Sequence, residues 1–103
     1  MPKLKIKPEA EIDLSKIFEH IALNWNIDQA EKYQDELFEG MQFLTLNNHL
    51  GKKYPYAELL YRKLHIKRHL IFYRIEDDDC IIVRVLHDRM DVKKHLGMKE
   101  ADI

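Results

Sequence analysis

The 103-residue chain predicts a single α+β domain spanning residues 1–103: an N-terminal strand, then a two-helix antiparallel hairpin packed on an antiparallel β-sheet, in the order β-α-α-β-β-β. Three observations carry this expectation. The lead-in Lys3–Lys7 alternates charged and apolar residues; the rest of the first half repeats apolar residues at helical spacing; and the second half holds the apolar runs His69–Ile75 and Cys80–Leu86 around an acidic connector.

The elements follow in order. Leu4 and Ile6 alternate with Lys3, Lys5 and Lys7, the period of a half-buried strand. So short a strand is unstable alone, so it joins the later strands, either as an edge of their meander or beside the last of them. Pro8 stops its ladder and suits the first turn of a helix. Ala10, Leu14, Ile17, Phe18, Ile21 and Trp25 then recur at helical spacing, with Glu9, Glu11 and Asp13 early, where carboxylates favour the macrodipole. This places the first helix at roughly residues 9–24.

The second helix is expected to start at Asp28 as N-cap, with Glu31 at the N3 position of a capping box. Its stripe is Ala30, Tyr33, Leu37, Met41 and Leu44, with Phe38 beside it, and Asn47-Asn48 and Gly51 end it. The short gap at Asn24–Ile27 makes the two helices an antiparallel hairpin. Lys52–Tyr56 reads as a loop fixed by Pro55. Strands are expected at about Glu58–Ile66, His69–Glu76 and Cys80–His87, with tight turns at Lys67-Arg68 and Asp77-Asp78-Asp79. Arg89–Leu96 adds one helical turn, and Met98–Ile103 is loose. Phe72, Tyr73 and Phe43 are assigned to the core. So is Trp25, although a tryptophan exposed at a hairpin tip would anchor a partner.

Composition narrows the function. No apolar run approaches the roughly 18 residues that span a bilayer, and MPKLKIKPEAEID has no apolar signal region. The lone Cys80 has no thiol to pair with, and no Cys/His spacing suggests a metal, so a cytoplasmic protein without cofactor or metal is expected. Residues 1–51 carry five basic and nine acidic side chains, whereas residues 52–103 carry twelve and nine. That gives an acidic helical half and a basic sheet half. A pI of 6.6 nevertheless counts against nucleic acid as the main ligand.

Candidate functional residues lie in the basic half. Arg62, Lys63, Lys67, Arg68, His69 and Arg74 form a basic strand face that either grips phosphates or an acidic partner, or simply offsets the acidic helices. Arg84 interrupts an apolar strand, and a half-buried guanidinium needs a partner, for which Glu58, Asp88 and Asp91 are the candidates. His87 and Arg89 close that strand. A histidine there can serve as acid or base and an arginine can meet a phosphate, but a structural cluster with Asp91 is the better-supported reading. His65, His69, His87 and His95 lack metal spacing, and the aspartates before Cys80 make it a poor nucleophile.

These residues also carry a resemblance. HLIFYRI at 69–75, RVLHDRMD at 84–91 and His95-Leu96 resemble the ParE branch of the ParE/RelE toxin superfamily. Ala10–Ile17 is similar to the opening of that superfamily's first helix, and Ala30 and Tyr33 fit its second, so the likeness covers about residues 3–96. It implies a plasmid-stabilisation type of toxin from a bacterial type II toxin–antitoxin module, neutralised by a cognate antitoxin and acting on DNA gyrase without being an enzyme. It equally admits a RelE-like, ribosome-dependent messenger RNA endoribonuclease, for which Arg62, Arg84 and His87 would be the catalytic set, or a degenerate toxin kept as an antitoxin-binding module. The absence of a tyrosine in His87–Asp91 and the low pI favour gyrase.

Overall fold

A computed structural model of the chain describes residues 2–56 and 59–90. Along them run β1 (Leu4–Ile6), α1 (Pro8–Asn24), α2 (Ile27–Leu46), β2 (Lys52–Tyr56), β3 (Leu59–Ile66), β4 (His69–Glu76) and β5 (Asp79–His87). The strands form one sheet in the order β1-β5-β4-β3-β2. The meander is antiparallel, as the alternation predicts, but β1 pairs parallel to β5, with Leu4 opposite Cys80 and Ile6 opposite Ile82. The sheet is therefore mixed, and the first strand sits beside the last.

One element departs from the expected order. Lys52–Tyr56 is a strand, not a loop, with Lys53 opposite Arg62 and Pro55 opposite Leu60. Proline is tolerated there because β2 is the sheet edge, where a missing N–H removes no inner ladder bond. Residues 91–103, including the expected helical turn beyond Met90 and the loose tail, lie outside the described residues.

Local chemistry sets both helices. Pro8 occupies the first turn of α1, where its lost N–H would be unpaired in any case, and Glu9 and Glu11 sit beside it. The cap of α2 is Asn26 rather than Asp28. Asn26 is extended, and its side-chain oxygen accepts the Gln29 N–H at 2.8 Å. Asp28 thus falls inside the first turn, where its carboxylate still faces the positive helix end. Gly40 lets α2 lie close on the sheet, since a Cβ there would collide with the Ile66 side chain.

The main core lies between the hairpin and the sheet. Ala10, Leu14, Leu37, Met41 and Leu44 pack against Ile71, Tyr73, Ile82 and Val85. The alternate strand residues Leu70, Phe72 and Leu86 form a second apolar cluster with Tyr54. Tyr73 also acts as a polar pin, its hydroxyl donating to the Asn48 carbonyl at 2.9 Å and accepting from the Gly51 N–H at 2.8 Å. Phe72 and Tyr73 are core as expected. Phe43 and Trp25 are not: they are 53% and 77% exposed.

Arg84 finds its partner on α1. On β4, Phe72 faces Arg84 while Tyr73 faces Ile82, so Val83 is an extra residue that bulges β5. Arg84 Nε and Nη2 donate to Asp13 Oδ2 and Oδ1 at 2.6 and 2.8 Å, and the Val85 N–H donates to the same Oδ2 at 2.9 Å. Of the three acids expected to pair with it, Glu58 and Asp91 lie outside the described residues, and Asp88 sits instead beside His65 and His87. The Asp13 hydrogen bonds hold Arg84 more firmly protonated than usual. Because this carboxylate is nearly buried, Asp13→Ala should cost about 3 kcal/mol of stability by removing the charged pair to Arg84 and the acceptor of the Val85 N–H. The double variant Asp13→Ala/Arg84→Met should regain part of that loss. Denaturant unfolding checks this, and a single-variant loss under about 1 kcal/mol would contradict it.

Candidate functional site

The expected basic surface divides into groups held in different ways. Arg62 braces the connection out of α2: its guanidinium donates to the Gly51 and His49 carbonyls at 2.8 and 3.2 Å and meets His49 Nδ1 at 3.2 Å. Lys63 Nζ lies 5.2 Å from the Tyr54 ring centroid. Arg74 pairs with Glu76, near the opposite end of the sheet, and Arg84 is bound to Asp13. These four do not share one phosphate-sized site.

Lys67, Arg68, His87 and Arg89 do come together, at the sheet end where β3 turns into β4 and β5 leaves. Register forces this: His69 pairs with Ile66 on one side and His87 on the other. Tyr33 of α2 completes the cluster. Its hydroxyl lies 2.6 Å from His69 Nδ1 and accepts the Arg68 N–H at 3.3 Å. The hydroxyl can donate to Nδ1 when the neutral ring carries its proton on Nε2. The Arg68 carbonyl accepts the Asp88 N–H at 2.9 Å, so one turn is held by both the helix and the strand exit. Lys67 adopts a left-handed φ of 52° there, and its ammonium pairs with Glu36 at 2.7 Å.

Histidine chemistry dominates this end. The His69 and His87 rings stand edge to face, with centroids 5.3 Å apart. His65 Nε2 lies 3.4 Å from Asp88 Oδ2. Burial, and then the neighbouring His87, push His69 down to about 4 from the ordinary 6.5. Burial also raises Tyr33. Asp91 and His95, expected near this cluster, lie outside the described residues. Arg68 and Arg89 have exposed side chains and can meet a partner.

Two pairings were not anticipated, and exposure of Trp25 at the hairpin tip is the alternative to its core assignment. Asp13 as the anchor of Arg84 and Tyr33 as the partner of His69 come from far along the chain. The tip of the hairpin exposes Leu23, Trp25 and Ile27 by 79%, 77% and 61%, a run of apolar side chains in water. Among the described residues no group of three His, Cys, Asp or Glu could hold a metal ion, and no helix is long and apolar enough to cross a membrane. Cys80 is buried, and burial raises its thiol to about 11, which leaves it unreactive.

The shift at His69 has a definite sign. The unfolded chain takes up a proton there near pH 6.5, whereas the folded chain resists until about pH 4. Stability is therefore lost as pH falls through that window and is unaffected above it. Between about pH 7 and pH 4.5 the wild type should lose about 2 kcal/mol more than His69→Gln, allowing for the ring's partial contact with solvent. Equal acid losses in urea unfolding would contradict this assignment.

Comparisons with known proteins agree with one another. The family model described as ParE toxin of type II toxin-antitoxin system, parDE, matches residues 4–92. Toxin ParE1 of Mycobacterium tuberculosis is 36% identical over 92 residues, covering 88% of this chain and 94% of that one. Toxin ParE1 of Caulobacter vibrioides is 28% identical over 97 residues, covering 94% and 100%. A solved structure from the chromosomal ParDE TA system of P. aeruginosa superposes with a TM-score of 0.73 at 21% identity, covering 84% of this chain and 96% of that one, which shows the shared fold. The chain belongs to the ParE toxin family of type II toxin–antitoxin systems.

Proposed function

We propose that this toxin acts in the cytoplasm as a non-enzymatic inhibitor of DNA gyrase and is silenced by a cognate antitoxin. Family membership across residues 4–92 is the observation that carries the reading. The geometry supports it in a specific way. Arg62 and Arg84, the arginines a messenger-cleaving site would place on the scissile phosphate, hold the chain's own carbonyls and Asp13. His87, the third residue of that set, accepts the Arg89 N–H at Nδ1. What remains is a binding surface: exposed Arg68 and Arg89 at the sheet end and an exposed apolar hairpin tip. The basic end suits an acidic antitoxin segment that orders on binding, and the apolar tip offers it anchors.

Purified toxin should block gyrase supercoiling and trap a cleaved DNA complex. Reversing the exposed charges singly, Arg68→Glu or Arg89→Glu, should weaken either inhibition or antitoxin binding about tenfold while leaving the fold unchanged. Gyrase left untouched, with new messenger ends appearing in a translation extract, would replace this reading with ribosome-dependent cleavage. Neither activity, together with tight antitoxin binding, would leave the silent-module reading.

A further inference from the structure

One ring nitrogen at the exit of β5 faces two partners that require opposite protonation states. His87 Nδ1 lies 3.1 Å from the Arg89 backbone nitrogen, whose N–H donates to it. The same Nδ1 lies 3.2 Å from Asp88 Oδ1. A neutral ring can accept from Arg89 only if Nδ1 carries a lone pair, and that lone pair then faces a carboxylate oxygen. A proton on Nδ1 reverses both relations: the N–H donates to Asp88, and the Arg89 N–H loses its acceptor.

We propose that the exit of β5 is a protonation-driven hinge, in which neutral His87 holds the backbone at Arg89 and protonated His87 releases it in exchange for the Asp88 carboxylate. The turn it controls is small and well defined. The Met90 N–H closes it on the His87 carbonyl at 3.0 Å, while the Asp88 N–H is fixed on the Arg68 carbonyl and does not change. Releasing the Arg89 N–H therefore loosens the turn after a fixed point. Presentation of the exposed Arg89 side chain becomes pH dependent, whichever partner that side chain meets.

The surroundings determine where a proton can go. From β4, His69 stands against His87, meets Tyr33 of α2, and is held neutral down to about pH 4 by burial and then by His87 itself. From α1, His20 further disfavours charge on His69. From α2 and the β3–β4 turn, Glu36 and Lys67 neutralise each other beside Tyr33. From β3, His65 shares the Asp88 carboxylate and competes for it when charged. Asp88, set between His65 and His87, is thus the carboxylate that lies against His87 among the described residues.

Nuclear magnetic resonance of the full-length chain between about pH 8 and pH 5 tests the hinge. At the alkaline end the His87 ring should carry its proton on Nε2. On acidification the Arg89 amide resonance should shift with the same midpoint as the His87 ring, and its exchange with solvent should quicken. Asp88→Asn keeps the backbone contact to Arg68, and should move both midpoints to lower pH together. His65→Gln should leave the coupling intact. An Arg89 amide that stays still through the His87 titration, or a neutral ring protonated on Nδ1, would overturn the proposal.

Discussion

Asp13 holds this structure together where its sheet would otherwise fail. The strand β1 ends its pairing with β5 at Ile82, and the Lys7 N–H makes the last backbone bond to the Ile82 carbonyl. Beyond that point the outer edge of β5 has no strand beside it among the described residues, and the bulge at Val83 has redirected Arg84. Asp13, a turn and a half into the helix that starts where β1 stops, satisfies both: one carboxylate takes the guanidinium and the unpaired Val85 N–H. A helix carboxylate thus takes a strand partner's place at the Val85 N–H. The same bonds fix how the hairpin lies across the sheet, because α1 is held at a bulge rather than anywhere along a smooth strand. Removing the charge would break its pair with the half-buried Arg84 and take the acceptor from the Val85 N–H, which is why so much of the fold depends on one side chain.

The bulge also divides the sheet chemically. The half of β5 before it is paired on both sides, to β1 and β4, and packs in the main core. The half after it runs out to His87 beside His69 and the β3–β4 turn. Tyr33 binds that end to α2 through the His69 ring and the Arg68 backbone. Arg68 is therefore carried on a turn with fixed backbone, not on a loose loop. Such pre-ordering favours recognition, since less freedom is lost on binding. Most cations that looked available along the chain already have internal partners, so the exposed basic surface is narrower than composition implies.

Much of this was legible along the chain, and the omissions share a cause. The helices announced themselves through apolar spacing and Pro8, and β4 and β5 through apolar runs and the aspartate turn, whose Asp77 and Asp78 both adopt positive φ. Two misreadings were local. Pro55 looked like a breaker because sequence does not show that its strand is an edge, and Asp28 looked like the cap because Glu31 completes a capping box, whereas the extended Asn26 takes that place. The larger omissions were long-range. Asp13 is one of nine acids in the first half, and nothing near it points to Arg84, 71 residues away. Tyr33 lay correctly on the apolar stripe of α2. Its hydroxyl was the available signal, because a half-buried tyrosine needs a polar partner. Trp25 fitted the helical period yet faces water, because period assigns a face and cannot say what covers it, and Phe43, assigned to the core as an aromatic, is exposed as well.

The most direct test of the functional account is to induce the toxin in bacteria lacking its antitoxin and follow DNA and protein synthesis separately by pulse labelling. Gyrase inhibition predicts that DNA synthesis stops first, in cells that then grow as filaments. Protein synthesis stopping first, with DNA synthesis declining only afterwards, would contradict it.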